Sequence, residues 1–208
     1  MKFTLHVLTC SFVLFSLYLV ADLNASPRPS YSSKHKRQYE RTGYSTSGVS
    51  NTRRPRVPLA SSYWKLSNHK GTPKVIIDRG GQVASFYLGS KKIGQSPVST
   101  GRRGYETPAG TFRITQKSRY HSSNLYGSFV SSSGKYLGEA NNGQRPPSGG
   151  RYVAAPMPYF MRLTDSGVGM HAGYVPGVPA SHGCIRLPKE MAEKFFENLP
   201  MGSVVVIK

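Results

Sequence analysis

The sequence predicts a mainly β fold: a small sandwich or barrel with one helix near the C-terminus and one long loop. Three observations carry that expectation. Short β-branched or alternating runs recur from residue 74 onward, punctuated by turn formers in a chain holding 22 Gly and 15 Pro. A single stretch, residues 188–199, has an apolar helical period. The 13 Tyr, 9 Phe and 1 Trp supply enough aromatic surface for a packed core, which excludes a wholly disordered chain.

The elements follow in order. Residues 74–78 (KVIID) are β-branched and bounded by Pro73 and Gly80-Gly81, and residues 82–88 (QVASFYL) follow that turn, so the pair predicts a hairpin. Residues 91–100 continue as a third extended run, and 111–115 (TFRIT) alternate as a fourth. Tyr63 and Trp64 precede the first strand and are expected to cap the core. Residues 131–151, rich in Ser, Gly, Asn and Pro, predict the long loop, in the manner of a lid or substrate wall. His121, followed by Ser122-Ser123-Asn124, is expected on a loop. Residues 159–163 and 168–171 are short extended candidates. Pro188 suits a first helical position, and Met191, Phe195 and Leu199 then fall on one face. Residues 203–208 (SVVVIK) close the chain as a strand.

Ahead of this lies a different kind of sequence. Lys2, an apolar run of 14 residues at 7–20, and the small residues Ala21 and Ala25 have the pattern of a secretory signal peptide, expected over residues 1–25. No second long apolar run follows, which excludes a polytopic membrane protein. Residues 26–70 are expected to be a basic tether, leaving 71–208 as the globular domain. The most charged part of the tether, residues 26–58, holds eight Lys/Arg and one acid, a net of +7, with no apolar period. The remaining 59–208 carry +12 of the chain's +19. Such a tether suits an anionic envelope, and export to a periplasm or cell wall removes nucleic acid as a partner.

Export also sharpens the cysteine count. Cys10 leaves with the leader, so one thiol, Cys184, remains and cannot form an internal disulfide. It lies in residues 170–188 (MHAGYVPGVPASHGCIRLP), with His171 and His182. A thiol needs a base to become a nucleophile and backbone donors to hold the oxyanion formed on acyl attack. Gly183 lets the backbone approach a substrate closely. These are the parts of a thiol acyl-transfer site. His171, His182 and Cys184 could instead ligate Zn²⁺, although a fourth ligand is not evident.

The run Ser181-His182-Gly183-Cys184-Ile185-Arg186-Leu187, with His171 upstream, resembles the signature of the L,D-transpeptidase catalytic domain (YkuD-like) family. Val98-Ser99-Thr100-Gly101, then Thr107-Pro108-Ala109-Gly110-Thr111-Phe112, is similar to that family's upstream blocks, and the resemblance covers roughly residues 73–208. It implies a β-rich fold that presents the cysteine at one end of a groove. It implies attack on the third-residue carbonyl of a peptidoglycan stem tetrapeptide, with release of D-alanine. The thioester then passes to an amine of another stem peptide or a lipoprotein lysine, or to water in an L,D-carboxypeptidase. No cofactor and no metal are implied.

Carried over by position, Cys184 is the nucleophile and His171 the base. The N–H groups of His182, Gly183 and Cys184 form the oxyanion hole, and the side chains of Ser181 and His182 hold the loop. Arg186 supports the loop or faces a substrate carboxylate, and Tyr174 lines the groove. Ala172, where the family often has Gly or Ser, still supplies a carbonyl to orient His171. The interval from His171 to Cys184 is 13 positions, short for the family. A non-catalytic wall-binding protein is the contrasting expectation from the charge alone.

Overall fold

Apolar alternation builds the first layer. The computed structural model describes residues 60–65 and 69–208; the expected leader at 1–25, with Cys10, and the tether through residue 59 lie outside the described residues. Strands β2 (Pro73–Asp78) and β3 (Val83–Leu88) form the expected hairpin. The Asp78 carboxylate accepts the N–H groups of Gly80 and Gly81, both at 3.0 Å, which sets the turn. Val75, Ile77, Ala84 and Phe86 share the buried face that period two requires.

The full sheet has six strands in the order β1 (Tyr63–Trp64), β4 (Lys91–Pro97), β3, β2, β11 (Val204–Ile207), β5 (Gly110–Arg113). The C-terminal strand therefore enters the middle, parallel to β2 and antiparallel to β5. Tyr63 and Trp64 lie inside the span expected as tether, yet they pair with β4. Trp64 packs its ring 4.7 Å from that of Phe86, as a core cap should.

The second sheet runs β10 (Ile185–Leu187), β9 (Gly169–Ala172), β8 (Gly150–Arg162), β6 (Gln116–Ser131), β7 (Tyr136–Asn141). Helix α1 (Lys189–Asn198) follows directly from Pro188. Met191, Phe195 and Leu199 are buried as their spacing predicted, in one cluster with Val75, Ile77, Phe86, Met161, Met170, Ile185 and Leu187. Lys117 donates to the carbonyls of Phe196 and Leu199, satisfying acceptors that a helix end leaves open. Among the described residues the outcome is the predicted mainly β architecture, with two sheets and one helix.

The segment 131–151 departs from expectation. It holds the end of β6, all of β7 and the first residues of β8. Ser, Gly and Asn are poor strand formers, but here the long neighbours β6 and β8 supply a ladder, so pairing overrides propensity. Pro156 and Pro158 sit in β8, whose pairing with β9 is confined to Met161 and Arg162, so their missing N–H groups cost no bond to β9. His121 is likewise on β6, not a loop, and stacks on Phe160 with centroids 4.2 Å apart.

Candidate active site

The two short parallel strands β9 and β10 fix the centre of the site. Ile185 pairs with Met170, Arg186 with His171 and Leu187 with Ala172. Met170, Ala172, Ile185 and Leu187 all enter the core. By alternation, His171 and Arg186 face the opposite way, and Cys184 directly precedes β10, where both the thiol and the imidazole feel the Arg186 charge.

His171 is buried, and its Nδ1 lies 2.8 Å from the carbonyl oxygen of Ala172. A carbonyl only accepts, so Nδ1 carries the proton and Nε2 is left as the basic nitrogen. Burial pulls the imidazole down to about 4, and the charges of Arg186 and His121 act in the same direction against the Ala172 hydrogen bond. Burial also pushes the Cys184 thiol up, opposed by the Gly169 N–H, Arg186 and Arg162. The resting pair is therefore neutral thiol and neutral imidazole. The thiol sulfur lies 3.7 Å from the Gly167 carbonyl oxygen.

A network of hydroxyls shapes the loop that carries Cys184. Ser181 Oγ donates to the Cys184 carbonyl at 2.5 Å and accepts the Gly183 N–H at 3.1 Å. That N–H, expected among the oxyanion donors, is committed within the loop. Thr107 Oγ1 donates to the Gly183 carbonyl at 2.7 Å and accepts the Gly101 N–H at 2.8 Å. Ser99 exchanges backbone hydrogen bonds with Arg186, and its hydroxyl donates to the Val178 carbonyl. Gln82 bonds both the N–H and the hydroxyl of Thr100, whose carbonyl accepts the N–H groups of Ala180 and Ser181. The upstream motif blocks are thus the floor of the cysteine loop. Gly101 is tight enough that an added Cβ would stand 1.8 Å from the Tyr105 carbonyl oxygen.

Gly183 has φ +113°, a conformation L side chains rarely adopt, while the space beside it is open to 3.6 Å. Gly183→Ala is therefore expected to destabilise by backbone strain, about 1–3 kcal/mol, rather than by a clash. Urea unfolding of the two proteins measures it.

The ring of His182 is engaged by other residues. Arg102 Nη2 donates to its Nε2 at 2.8 Å, Tyr126 stacks on it at 4.3 Å and Tyr105 meets it edge-on at 4.8 Å. Burial and then Arg102 pull its pKa down. This commitment to Arg102 removes it from the zinc constellation, and among the described residues no group of three His, Cys, Asp or Glu could hold a metal ion. Glu139 on β7 lies 3.9 Å from Arg102, so the hairpin reaches the catalytic loop. The stem of Arg186 packs over Gly173. Tyr174 is exposed, whereas Tyr159 turns to the helix and donates to Glu193 at 2.8 Å. Sequence reasoning missed Arg102, Tyr126, Glu139 and Gly167 as site residues. Arg102 alone had a signal, its place directly after the Ser-Thr-Gly block.

The family model for the L,D-transpeptidase catalytic domain, YkuD, matches residues 72–207. YqjB of Bacillus subtilis (strain 168), an L,D-transpeptidase by name, is 26% identical over 158 residues, covering 72% of this chain and 80% of that protein. Among solved structures, an L,D-transpeptidase from Mycobacterium smegmatis superposes with TM-score 0.51 at 18% identity, over 66% of this chain and 59% of that one. One from Stackebrandtia nassauensis gives TM-score 0.49 at 23% identity, over 68% and 58%. The chain spans less than two thirds of those solved chains, and at 18% identity the likeness to the Mycobacterium smegmatis structure is one of fold. With the family model matched across both sheets and the cysteine loop, the chain belongs to the L,D-transpeptidase catalytic domain family.

Proposed function

We propose that this protein is an exported cysteine acyltransferase acting on peptidoglycan stem tetrapeptides. The observation that carries the reading is the His171 imidazole, held by Ala172 so that Nε2 is the basic nitrogen, on the strand paired with the one that Cys184 directly precedes. Export is supported by the leader pattern. The +7 of residues 26–58 suits retention at an anionic envelope.

Cys184 attacks the third-residue carbonyl, and its proton passes to His171 Nε2 as the C–S bond forms. An imidazole held near 4 is a weak base but a strong conjugate acid. It therefore takes the proton only as attack proceeds, and yields it readily to the departing D-alanine amine when the C–N bond breaks. The N–H groups of Cys184 and His182 hold the oxyanion. An acceptor amine then attacks the thioester, losing a proton to His171 and returning the thiol. One acyl bond replaces another, so neither ATP nor a redox partner is needed. Arg186, beside both reacting groups, offers a positive charge to a substrate carboxylate, and the exposed Tyr174 offers a wall to the peptide.

The test is mass spectrometry of muropeptides after incubation with purified stem tetrapeptide and a candidate acceptor. A 3→3 dimer or an acyl-acceptor conjugate is the expected product. Tripeptide alone would assign the protein as an L,D-carboxypeptidase, and unchanged tetrapeptide would contradict acyl transfer.

A further inference from the structure

The hydroxyl of Thr107 is fully buried and bridges two backbone groups, accepting from Gly101 at 2.8 Å and donating to the Gly183 carbonyl at 2.7 Å. The second bond controls more than loop stability. In a trans peptide the carbonyl of one residue and the N–H of the next point in opposite directions. The peptide unit here joins Gly183 to Cys184, and the described residues contain no cis peptide bond. Holding the Gly183 carbonyl against Thr107 therefore aims the Cys184 N–H away from Thr107. Gly183 itself, with φ +113°, has the backbone freedom to let that plane rotate if the hydroxyl is lost. The preceding plane is held separately, because the Gly183 N–H donates to Ser181 Oγ. An acyl carbon bonded to Cys184 Sγ carries its oxygen within reach of the N–H of that same residue, so the direction of this one donor bears on acyl transfer, which forms an oxyanion, more than on alkylation, which forms none.

We infer that Thr107 is a positioning residue that aims the Cys184 N–H at the developing oxyanion. Its own anchorage supports the role. The Thr107 carbonyl accepts Arg79 Nη1 at 2.9 Å, so the residue is fixed through backbone and side chain together. The inference rests on the acyl-transfer reading above and deepens it.

The test compares two reactions of the same thiol in the full-length protein. Acylation by a carbapenem passes through an oxyanion; alkylation by iodoacetamide does not. Thr107→Val, which keeps the shape and removes the hydroxyl, is expected to slow acylation about 10- to 100-fold. The alkylation rate should stay within about twofold of the native value. Thr107→Ser, which restores the hydroxyl, should recover most of the acylation rate. Equal losses in both reactions would make Thr107 a structural residue only and overturn the proposal, as would unchanged acylation in Thr107→Val. If the valine variant does not fold, Thr107→Ala takes its place: slowed acylation with native alkylation supports the role, and equal losses or unchanged acylation overturn it. Native protein that a carbapenem fails to acylate, while iodoacetamide still labels Cys184, would instead sink the acyl-transfer reading.

Discussion

Cys184→Ala is expected to lower D-alanine release from a stem tetrapeptide by about 10⁴-fold or more, because loss of the nucleophile removes the covalent route and leaves only binding and polarisation. The variant should fold normally. The sulfur makes a long contact, 3.7 Å from the Gly167 carbonyl, while Ser181 and Thr107 hold the loop through backbone groups that alanine retains. Circular dichroism and thermal melting check the fold, and release of D-alanine is the readout. The same variant separates an enzyme from a wall-binding protein. Adsorption to purified sacculi, if it depends on the basic residues 26–58, should survive in Cys184→Ala and weaken with added salt. Release of D-alanine at the native rate by Cys184→Ala would remove the cysteine from the chemistry.

The second large effect concerns the base. His171→Gln is expected to lower kcat/KM about 10²–10⁴-fold near neutral pH, the usual range for losing a positioned general base. The pH profiles distinguish this from a packing defect. In the native protein His171 must be neutral to accept the thiol proton, and burial holds it at about 4. The acidic limb of kcat/KM should therefore fall as pH drops through about 4, well below the ordinary histidine value of 6.5. In His171→Gln that limb should vanish. Residual activity should instead rise with pH as the thiol ionises by itself, above its ordinary value of 9.0 because burial raises it. An acidic limb near 6.5 in the native protein would mean that the imidazole is solvated during catalysis.

How much of this could be read from the residues depended on whether a pattern was local. The β2–β3 hairpin was legible because β-branched alternation brackets a Gly-Gly turn, and the helix because Met191, Phe195 and Leu199 repeat along one face. The arm of β6, β7 and β8 was not legible. Much of β6 and β7 is exposed, so no apolar alternation marks them, and their order comes from backbone pairing across the arm. The site divides similarly. Residue type marks Cys184, His171 and His182 as candidates, and the family resemblance is what singles out Cys184 and His171. The orienting role of the Ala172 carbonyl followed from the family resemblance, and the structure has that contact at 2.8 Å. The hydroxyls of Ser99 and Thr107 gave no such warning, since their partners lie 79 and 76 positions away. Gly183 was expected to donate to the oxyanion, but the Ser181 hydroxyl two positions earlier takes its N–H, a choice that backbone conformation makes and residue type does not.

The central claim is that Cys184 carries the acyl group between donor and acceptor. Intact-protein mass spectrometry after rapid mixing with stem tetrapeptide, followed by peptide mapping, tests it most directly. Acyl transfer through Cys184 predicts a mass gain equal to the tetrapeptide less D-alanine, confined to the peptide that contains Cys184, labile to added acceptor amine and missing in Cys184→Ala. Tetrapeptide turnover with no adduct on rapid quenching, or an adduct on any other residue, would contradict it.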